Sequence, residues 1–337
     1  MHQEWLLLET LGSEPVVVAA GTFAKDLVPI SSYLRRSPYL SAIQTAVAET
    51  VANNAGLASL TPKQKRVIRT EPVTMTDGRV HGVHVWIGPA DEEPPERLLP
   101  GPITWDLTIG EATDSQQALV NRGEDPETAQ VHGRSFASDL SAGALRTGET
   151  KLLALALRRE PDDTIYETWD LVAADGSPLT GSFVARVVVE EADDGTEHVL
   201  LRGMNWVSER ESGVVEPDSL AQRILEGLAT PGTYRALVDL RNWALLKWLD
   251  EPSPYYDWRT DSVHPDDLER LQSMPAEFDP GGASRIVRLS HTESDWVPVH
   301  ITINRIELEP GVFTGLMAMR RATECELAED DRARTSG

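Results

Sequence analysis

The sequence predicts an α+β fold in which three small tandem domains each consist of an antiparallel β-sheet with flanking helices. Three observations lead to this prediction. The length of 337 residues is about two to three times that of an average domain. Two polar breaks, at residues 89–102 and 208–217, interrupt the periodic segments. The pieces between the breaks share a plan, because helical stripes precede β-strands that are joined by short turns.

The breaks set the expected domain boundaries. Residues 89–102 contain five prolines and four acids, which cannot continue a helix or a central strand. The tail has too little apolar content to pack, so we expect it to be disordered. The predicted order is a domain at 1–88, a linker at 89–102, a domain at 103–208, a connecting helix at 217–230, a domain at 231–322 and a disordered acidic tail at 323–337.

The first domain is predicted to hold two hairpins with one helix between them. Turn residues separate the strands of each hairpin, and a serine followed by a proline marks the helix start. In chain order, the elements are strands at 5–11 and 16–20, a helix that starts at Ser37 and ends at Gly56, and strands at 66–75 and 79–88.

The middle and last domains are each predicted to carry a three-stranded antiparallel meander, and two further strands open the last domain. β-Branched and aromatic residues mark the strands, and glycine-containing pairs mark the turns. Val297, Val299 and Ile301 alternate with residues of the opposite face, which indicates a half-buried strand. The predicted strands are 165–173, 183–190 and 199–207 in the middle domain, and 233–240, 242–249, 285–291, 296–308 and 312–320 in the last.

The sequence predicts two further helices, one that connects the middle and last domains and one within the last domain. In the connecting helix, Asp218 is the predicted N-cap, and one face carries Leu220, Ile224, Leu225 and Leu228. An isolated helix of this length is marginal in water, so we expect this face to pack within the chain. A seam with a second chain is the alternative. In the last domain, His264 precedes a proline at a helix start, where we expect a capping role.

Charge and composition exclude several functions. With 31 basic and 54 acidic residues the formal net charge is −23, which argues against binding nucleic acid or an anionic membrane. The single cysteine, Cys325, excludes an internal disulfide framework. The chain lacks phosphate-loop, dinucleotide-binding, serine-hydrolase and zinc-protease motifs. No window approaches 18 uninterrupted apolar residues and no signal peptide is recognisable, so we expect a cytoplasmic protein without a membrane span.

The chain resembles the mycobacterial tandem PAS–GAF–PAS proteins over residues 1 to about 322. The three-part layout carries the resemblance, together with Trp5-Leu6-Leu7-Leu8-Glu9-Thr10-Leu11-Gly12 and with His264-Pro265-Asp266-Asp267 before a helix. It implies a PAS-like first domain, a GAF-like (or PAS-like) middle domain and a PAS-like last domain. It also implies a sensory or signalling role, and it supplies no catalytic residues.

The candidate ligand-binding residues form a dense aromatic cluster in the last domain: Trp243, Trp248, Tyr255, Tyr256 and Trp258. In a PAS-like domain this stretch lies near the sheet face that often forms a ligand pocket. Aromatic walls suit a flat apolar ligand. The interpretation that we favour is that the rings fill this space and form the core, because large rings dominate burial.

Other chemistry-bearing residues have simpler interpretations. His81 and His84 lie three apart on a strand and point to opposite faces unless a bulge intervenes, so we expect ordinary surface or half-buried histidines and no metal site. His300 lies on the polar register of its strand, where exposure is expected. The paired acids, such as Asp266 and Asp267, are expected to mark turns and helix starts.

These observations predict a non-enzymatic sensory or signalling protein. It would bind a small molecule or a protein partner and pass the response to another protein. A protein–protein interaction scaffold with filled pockets is the first alternative, and an enzyme with an unrecognised site is the second. The residues specify no cofactor, and we expect neither nucleic acid nor a membrane as a partner.

Overall fold

The computed structural model contains three antiparallel β-sheets, of six, six and five strands, with a few helices, which confirms the predicted fold class. The described residues are 4–61, 66–138, 140, 148–172, 178–192, 194–209, 220–256, 263–274, 282–292 and 295–336. Within these ranges, no helix is both long enough and apolar enough to cross a bilayer.

The first sheet has the strand order β3-β2-β1-β6-β5-β4. Its strands are β1 Leu6–Glu9, β2 Val16–Ala20, β3 Phe23–Pro29, β4 Leu57–Leu60, β5 Arg66–Thr74 and β6 Val80–Pro89. Helices α1 Ile30–Tyr33 and α2 Leu40–Asn53 lie between β3 and β4 in the chain. The start of α2 differs from the prediction, since Tyr39 is the N-cap and the Ser37 hydroxyl accepts a hydrogen bond from the Tyr39 N–H. The helix is followed by Asn54 at φ 48°, a left-handed conformation that asparagine tolerates, rather than running to Gly56.

Both faces are buried at the centre of the first sheet, which explains the nearly continuous apolar strands β1 and β2. On one face, Ile43 and Val47 of α2 pack on Val83 and other residues of the strands. On the other face, Leu7 and its neighbours share a core with Val184, Met204 and Trp206 of the second sheet. The two sheets approach closely at Gly82, where a Cβ would lie 2.8 Å from the terminal methyl of Met204.

The second sheet has the strand order β10-β11-β12-β7-β8-β9. Its strands are β7 Gly101–Asp106, β8 Glu111–Asp114, β9 Arg134–Ser135, β10 Thr164–Val172, β11 Pro178–Glu191 and β12 Glu197–Glu209. Helix α3 Gln116–Asn121 follows β8, and α4 Glu149–Arg158 precedes β10. Residues 90–100, between β6 and β7, have no regular secondary structure. Of the second predicted break, 208–217, only residues 208 and 209 are described, and they belong to β12.

The third sheet has the strand order β14-β13-β17-β16-β15. Its strands are β13 Thr233–Val238, β14 Leu245–Trp248, β15 Ala283–Thr292, β16 Asp295–Glu309 and β17 Val312–Arg321. Helix α5 Leu220–Gly227 precedes the sheet, α6 Pro265–Ser273 precedes β15, and α7 Glu324–Ser336 follows β17.

All three sheets share one topology. When the strands of each sheet are renumbered from its own first strand, the first two sheets both have the order 3-2-1-6-5-4. The third sheet has 2-1-5-4-3, which is the same arrangement without one edge strand. The first and last strands of each sheet therefore pair with each other near its centre, and all three of these pairings are antiparallel. The consecutive strands on either side of each pair are joined by a helix-containing crossover.

The described chain forms two compact units. The first unit comprises Met1–Thr108, Ala112–Gly133 and Arg159–Glu216. The second comprises Ile109–Glu111, Arg134–Arg158 and Pro217–Gly337, so α4 packs on β16 and β17 of the third sheet. The fully buried Lys247 of β14 forms an ion pair with Glu149 of α4, at 3.1 Å.

Two expectations about helices differ from the structure. The tail from residue 323, for which composition predicts disorder, instead forms α7, whose acids pair with Arg270 of α6 and Arg320 of β17 and whose Arg334 pairs with Asp267 of α6. The side chains of Ile224 in α5 and of Leu228, the residue after this helix, are 53% and 66% exposed, so these two residues do not pack within the chain as we expected. The side chain of Leu220 and the predicted N-cap Asp218 lie outside the described residues.

Candidate functional site

The predicted aromatic cluster lies at the core of the third sheet. Trp248 is buried on β14, and the half-buried Trp243, Tyr255 and Tyr256 pack against the same core. Tyr256 contacts Trp248 edge-on, with ring centroids 6.0 Å apart. Trp258 lies outside the described residues. None of the four described rings lines the two clefts described below.

His81 and His84 are both buried, at 0% and 3% exposure, rather than at the surface or half-buried. The reason is a β-bulge in β6: Thr74 pairs with Val80 and Val73 pairs with Gly82, so His81 is the extra residue. Within the described residues no three histidine, cysteine or acidic side chains are grouped so as to hold a metal ion.

His81 is part of a polar network between the first and second sheets. Its Nδ1 lies 2.7 Å from the Gly203 carbonyl oxygen, which can only accept, so Nδ1 carries the proton. Its Nε2 then accepts from Arg202, which also contacts Glu190 and Asp77 at 2.7 Å each. Burial is the main reason that the pKa of His81 falls to about 4, so this imidazole is neutral at pH 7.

A cleft of about 640 Å³ lies in the first unit, where residues 97–100 pass between β5 and α3. We call it the linker cleft. Its lining residues are 72–74, 76, 84, 97–100, 102, 115–117 and 131–132. The volume is typical of small-molecule sites, which are usually about 300–1,000 Å³. Residues 97–100, which the sequence presents as part of a spacer, are therefore a wall of a cleft.

His84 is the buried polar residue of the linker cleft. Among the described residues, neither of its ring nitrogens has a hydrogen-bond partner of normal geometry. Burial and the neighbouring charge of Arg97 lower its pKa to about 3, and the nearby backbone of Leu98 offsets only part of this effect. A neutral imidazole has one donor and one acceptor, and leaving a buried polar group unpaired costs about 1–3 kcal/mol.

Trp5 fixes the position of the linker beside His84. The indole N–H donates to the Pro95 carbonyl at 2.8 Å. The Trp5 ring contacts the His84 ring edge-on, with centroids 5.9 Å apart. The guanidinium carbon of Arg97 lies 5.7 Å from the Trp5 ring centroid, within range of a cation–π contact. One buried indole thus contacts both His84 and Arg97.

A second cleft, of about 690 Å³, lies beside α7 in the second unit. Arginines 270 and 334 and acids 326, 329 and 330 are among its lining residues, and most of these charges are paired with one another or with Arg320. His300 is half-buried here, 3.9 Å from Glu326, because α7 covers the strand face that was expected to be exposed. The balanced charges make this cleft a packing seam between α7 and the sheet.

Asp267 does more than mark a helix start. Its carboxylate is fully buried and accepts from Arg288 at 2.8 Å and from Arg334 of α7 at 2.7 Å. Burial alone would raise its pKa, but the two arginines outweigh burial and lower the pKa to about 2. The expected capping role of His264 is confirmed, since its Nδ1 accepts from the Asp266 N–H at 3.2 Å.

Sequence reasoning missed the linker cleft although one signal was available. A glycine inside a strand marks a bulge or a close approach of another backbone, and Gly82 stands between the two buried histidines. Nothing in the sequence distinguishes Arg97 from any exposed arginine in a proline-rich spacer. The helix α7 also had a signal, the capping box of Thr323 and Glu326, whose side chains bond each other's backbone N–H.

Comparisons with known proteins agree with an arrangement of three tandem domains. Residues 4–96, 99–208 and 218–330 match, in order, the family models described as Rv3651-like N-terminal, Rv3651-like middle domain and Rv3651-like C-terminal domain. A crystal structure of an uncharacterised protein from Mycobacterium tuberculosis is 51% identical and has a TM-score of 0.86, with coverage of 97% of this chain and 99% of that chain. No curated protein matches the sequence.

More distant similarities are weak. An RNA-binding light-oxygen-voltage receptor is 10% identical with a TM-score of 0.27, and the match covers 99% of both chains. The ligand-binding domain of the Pseudomonas aeruginosa PAO1 amino acid chemoreceptor PctC, solved with GABA, is 16% identical with a TM-score of 0.16, and the match covers 65% of this chain and 73% of that one. TM-scores this low support no argument about fold or ligand.

Proposed function

Because the chain belongs to the Rv3651-like family and matches its three domain models in order, we propose one function for the whole three-domain protein. It acts as a non-enzymatic sensory protein. The linker cleft binds a small molecule, and the response passes to a protein partner. The PAS-like and GAF-like character of the domains belongs to this proposal, and the helix-flanked antiparallel sheets support it.

The observation that carries the proposal is the buried imidazole of His84 in the linker cleft. Among the described residues its ring nitrogens have no hydrogen-bond partner of normal geometry, and the backbone of Leu98 interacts with the ring only weakly. Buried polar groups in native proteins almost always have a hydrogen-bond partner, so a buried group without one calls for a partner such as a bound molecule, an ion or a water. A bound molecule with a hydrogen-bonding group would satisfy His84 and remove the cost of its burial.

The same residue supports binding rather than catalysis. A general base is effective when its pKa lies near the working pH, whereas the pKa of His84 is lowered to about 3. The lining residues of the cleft include no carboxylate that could orient the imidazole or share its proton. His84 is therefore suited to donate and accept hydrogen bonds without taking up a proton.

The linker supplies a route for the response. Leu98 packs against the core that the first and second sheets share, and residues 97–100 line the cleft. A ligand that contacts these residues acts directly on the segment between β6 and β7. A shift of that segment would change the packing of Leu98, and it is this change that a partner would detect.

Native mass spectrometry of the purified full chain tests the proposal. We expect a bound small molecule, or stabilisation by one found in a thermal-shift screen, and we expect the effect to be lost in His84→Leu. His300→Gln is the matched control, because His300 lies in the other unit and its change should leave binding intact. A ligand that binds equally well to His84→Leu, or the absence of any ligand in both experiments, would contradict the proposal.

A further inference from the structure

The linker cleft has no acidic lining in a strongly acidic protein. The chain carries 54 acidic residues among 337, yet none of the fifteen lining residues is aspartate or glutamate. Arg97 is the one lysine or arginine among them. We propose that the cleft binds a small molecule with a carboxylate group and an apolar body, and that Arg97 holds the carboxylate. This inference rests on the proposed function of the cleft as a ligand site.

Arg97 is available for an anionic ligand. Other arginines of the first unit are committed to acids, such as Arg186 to Glu9 and Arg202 to Glu190. Arg97 is exposed and interacts with the Trp5 ring and with the nearby His84, and among the described residues no carboxylate forms an ion pair with it. Its planar guanidinium matches a carboxylate through two parallel hydrogen bonds.

A single arginine favours a singly charged group. His84 is neutral at pH 7 and adds a donor and an acceptor beside the arginine, but it adds no charge. A phosphate ester carries more charge than one guanidinium neutralises, and the net charge of −23 adds a general repulsion of anions. A carboxylate needs one bidentate partner, which Arg97 supplies.

The apolar residues that line the linker cleft are the reason that we propose a ligand with an apolar body. Seven of the fifteen lining residues are proline, valine or leucine. Among them, Leu99 is 57% exposed, so a ligand in the cleft would cover an apolar side chain that water now surrounds. The neutral amides of Gln116 and Gln117 line the same cleft and add polarity without charge.

Isothermal titration calorimetry on the full chain tests the assignment with three matched probes: 4-butylbenzoate, its amide, and 4-butylphenyl phosphate. We expect the wild-type protein to bind the carboxylate more tightly than the amide by about tenfold or more. Arg97→Gln should weaken carboxylate binding by about 10- to 100-fold and leave amide binding unchanged. Arg97→Lys should recover only part of the loss, because lysine lacks the planar fork.

Arg223→Gln is the control, because Arg223 is an exposed residue of α5 in the other unit. Equal affinity for acid and amide, or no effect of Arg97→Gln, would overturn the carboxylate assignment and leave the cleft as a ligand site. Tighter binding of the phosphate ester would also overturn it. Failure of all three probes to bind would overturn the ligand class, whereas the proposed function fails only if native mass spectrometry and screening also find nothing.

Discussion

At the scale of single residues, two buried histidines connect the stability of the first unit to pH. His81 and His84 are neutral in the folded chain, with pKa values lowered to about 4 and about 3. In the unfolded chain a histidine takes up a proton near pH 6.5. Below pH 6.5 the unfolded state therefore binds more protons than the folded state, and stability falls as pH falls.

Denaturant unfolding at pH 7.5, 6.0 and 5.0 measures this effect. Between pH 6.5 and about 4, each histidine should lower the free energy of unfolding by up to about 1.4 kcal/mol per pH unit. His84→Leu should therefore reduce the dependence of stability on pH relative to the wild type. A variant with the wild-type pH dependence would show that the proton uptake of His84 does not differ between the two states.

In the second unit, the buried carboxylate of Asp267 leads to a corresponding prediction about stability. Its carboxylate accepts from Arg288 and Arg334, so Asp267→Asn should lower the free energy of unfolding by about 1.5–3 kcal/mol. Since the folded pKa is about 2, this stabilisation is present above about pH 4 and is lost as pH falls toward 2. A double-mutant cycle with Arg334→Gln should give a coupling of about 0.5–3 kcal/mol. Additive effects would show that Arg334 does not act through Asp267.

At the scale of helices and strands, the sequence predicted the bounds of strands whose apolar and polar residues alternate. It did not predict helices and strands that lack a periodic apolar pattern. The alternation of apolar and polar residues in β16 predicted both ends of this strand to within one residue. In β3, most side chains are exposed or half-exposed, so no alternation marks the strand. In α4, all residues from Leu152 to Leu157 are buried, and a helix that is apolar on every side has no stripe.

The exposed residues of α5 give a test of what that helix does. Because Ile224 and Leu228 are exposed, replacing both with aspartate should change the free energy of unfolding by less than about 0.5 kcal/mol for each residue. Leu271→Asp, in the buried face of α6, is the matched control and should destabilise strongly because it buries a charge. Calorimetry and light scattering give stability and mass. A change from dimer to monomer in the double variant would show that a second copy covers this face.

At the scale of the whole molecule, the three tandem domains and their shared plan could be predicted from turns and breaks, whereas the linker cleft could not. Breaks are local features of the chain, and proline-rich composition marks them directly. The cleft depends on long-range contacts, such as that between Trp5 and Pro95, which no sequence spacing encodes. For the same reason, a buried but unpaired His84 could be recognised only after both sheets were in place.

The net charge of the whole chain predicts that it does not bind nucleic acid. With a formal charge of −23, the chain should show no binding to a 20-base-pair DNA duplex in fluorescence anisotropy at physiological salt. Binding to nucleic acid depends on clustered lysine and arginine, whereas many of the described arginines, such as Arg186, Arg202 and Arg235, are paired with acids. Micromolar binding that weakens with added salt would contradict this prediction.

The shared topology has a mechanical consequence. In each sheet the first and last strands are antiparallel neighbours, so the chain enters and leaves at the same end of one central strand pair. Tension applied across a domain therefore unzips that pair one hydrogen bond at a time, and does not shear all of its bonds together. Each step breaks a bond of about 0.5–1.5 kcal/mol net, so a domain of this kind yields to small pulling forces at the middle of its sheet and not at its edge.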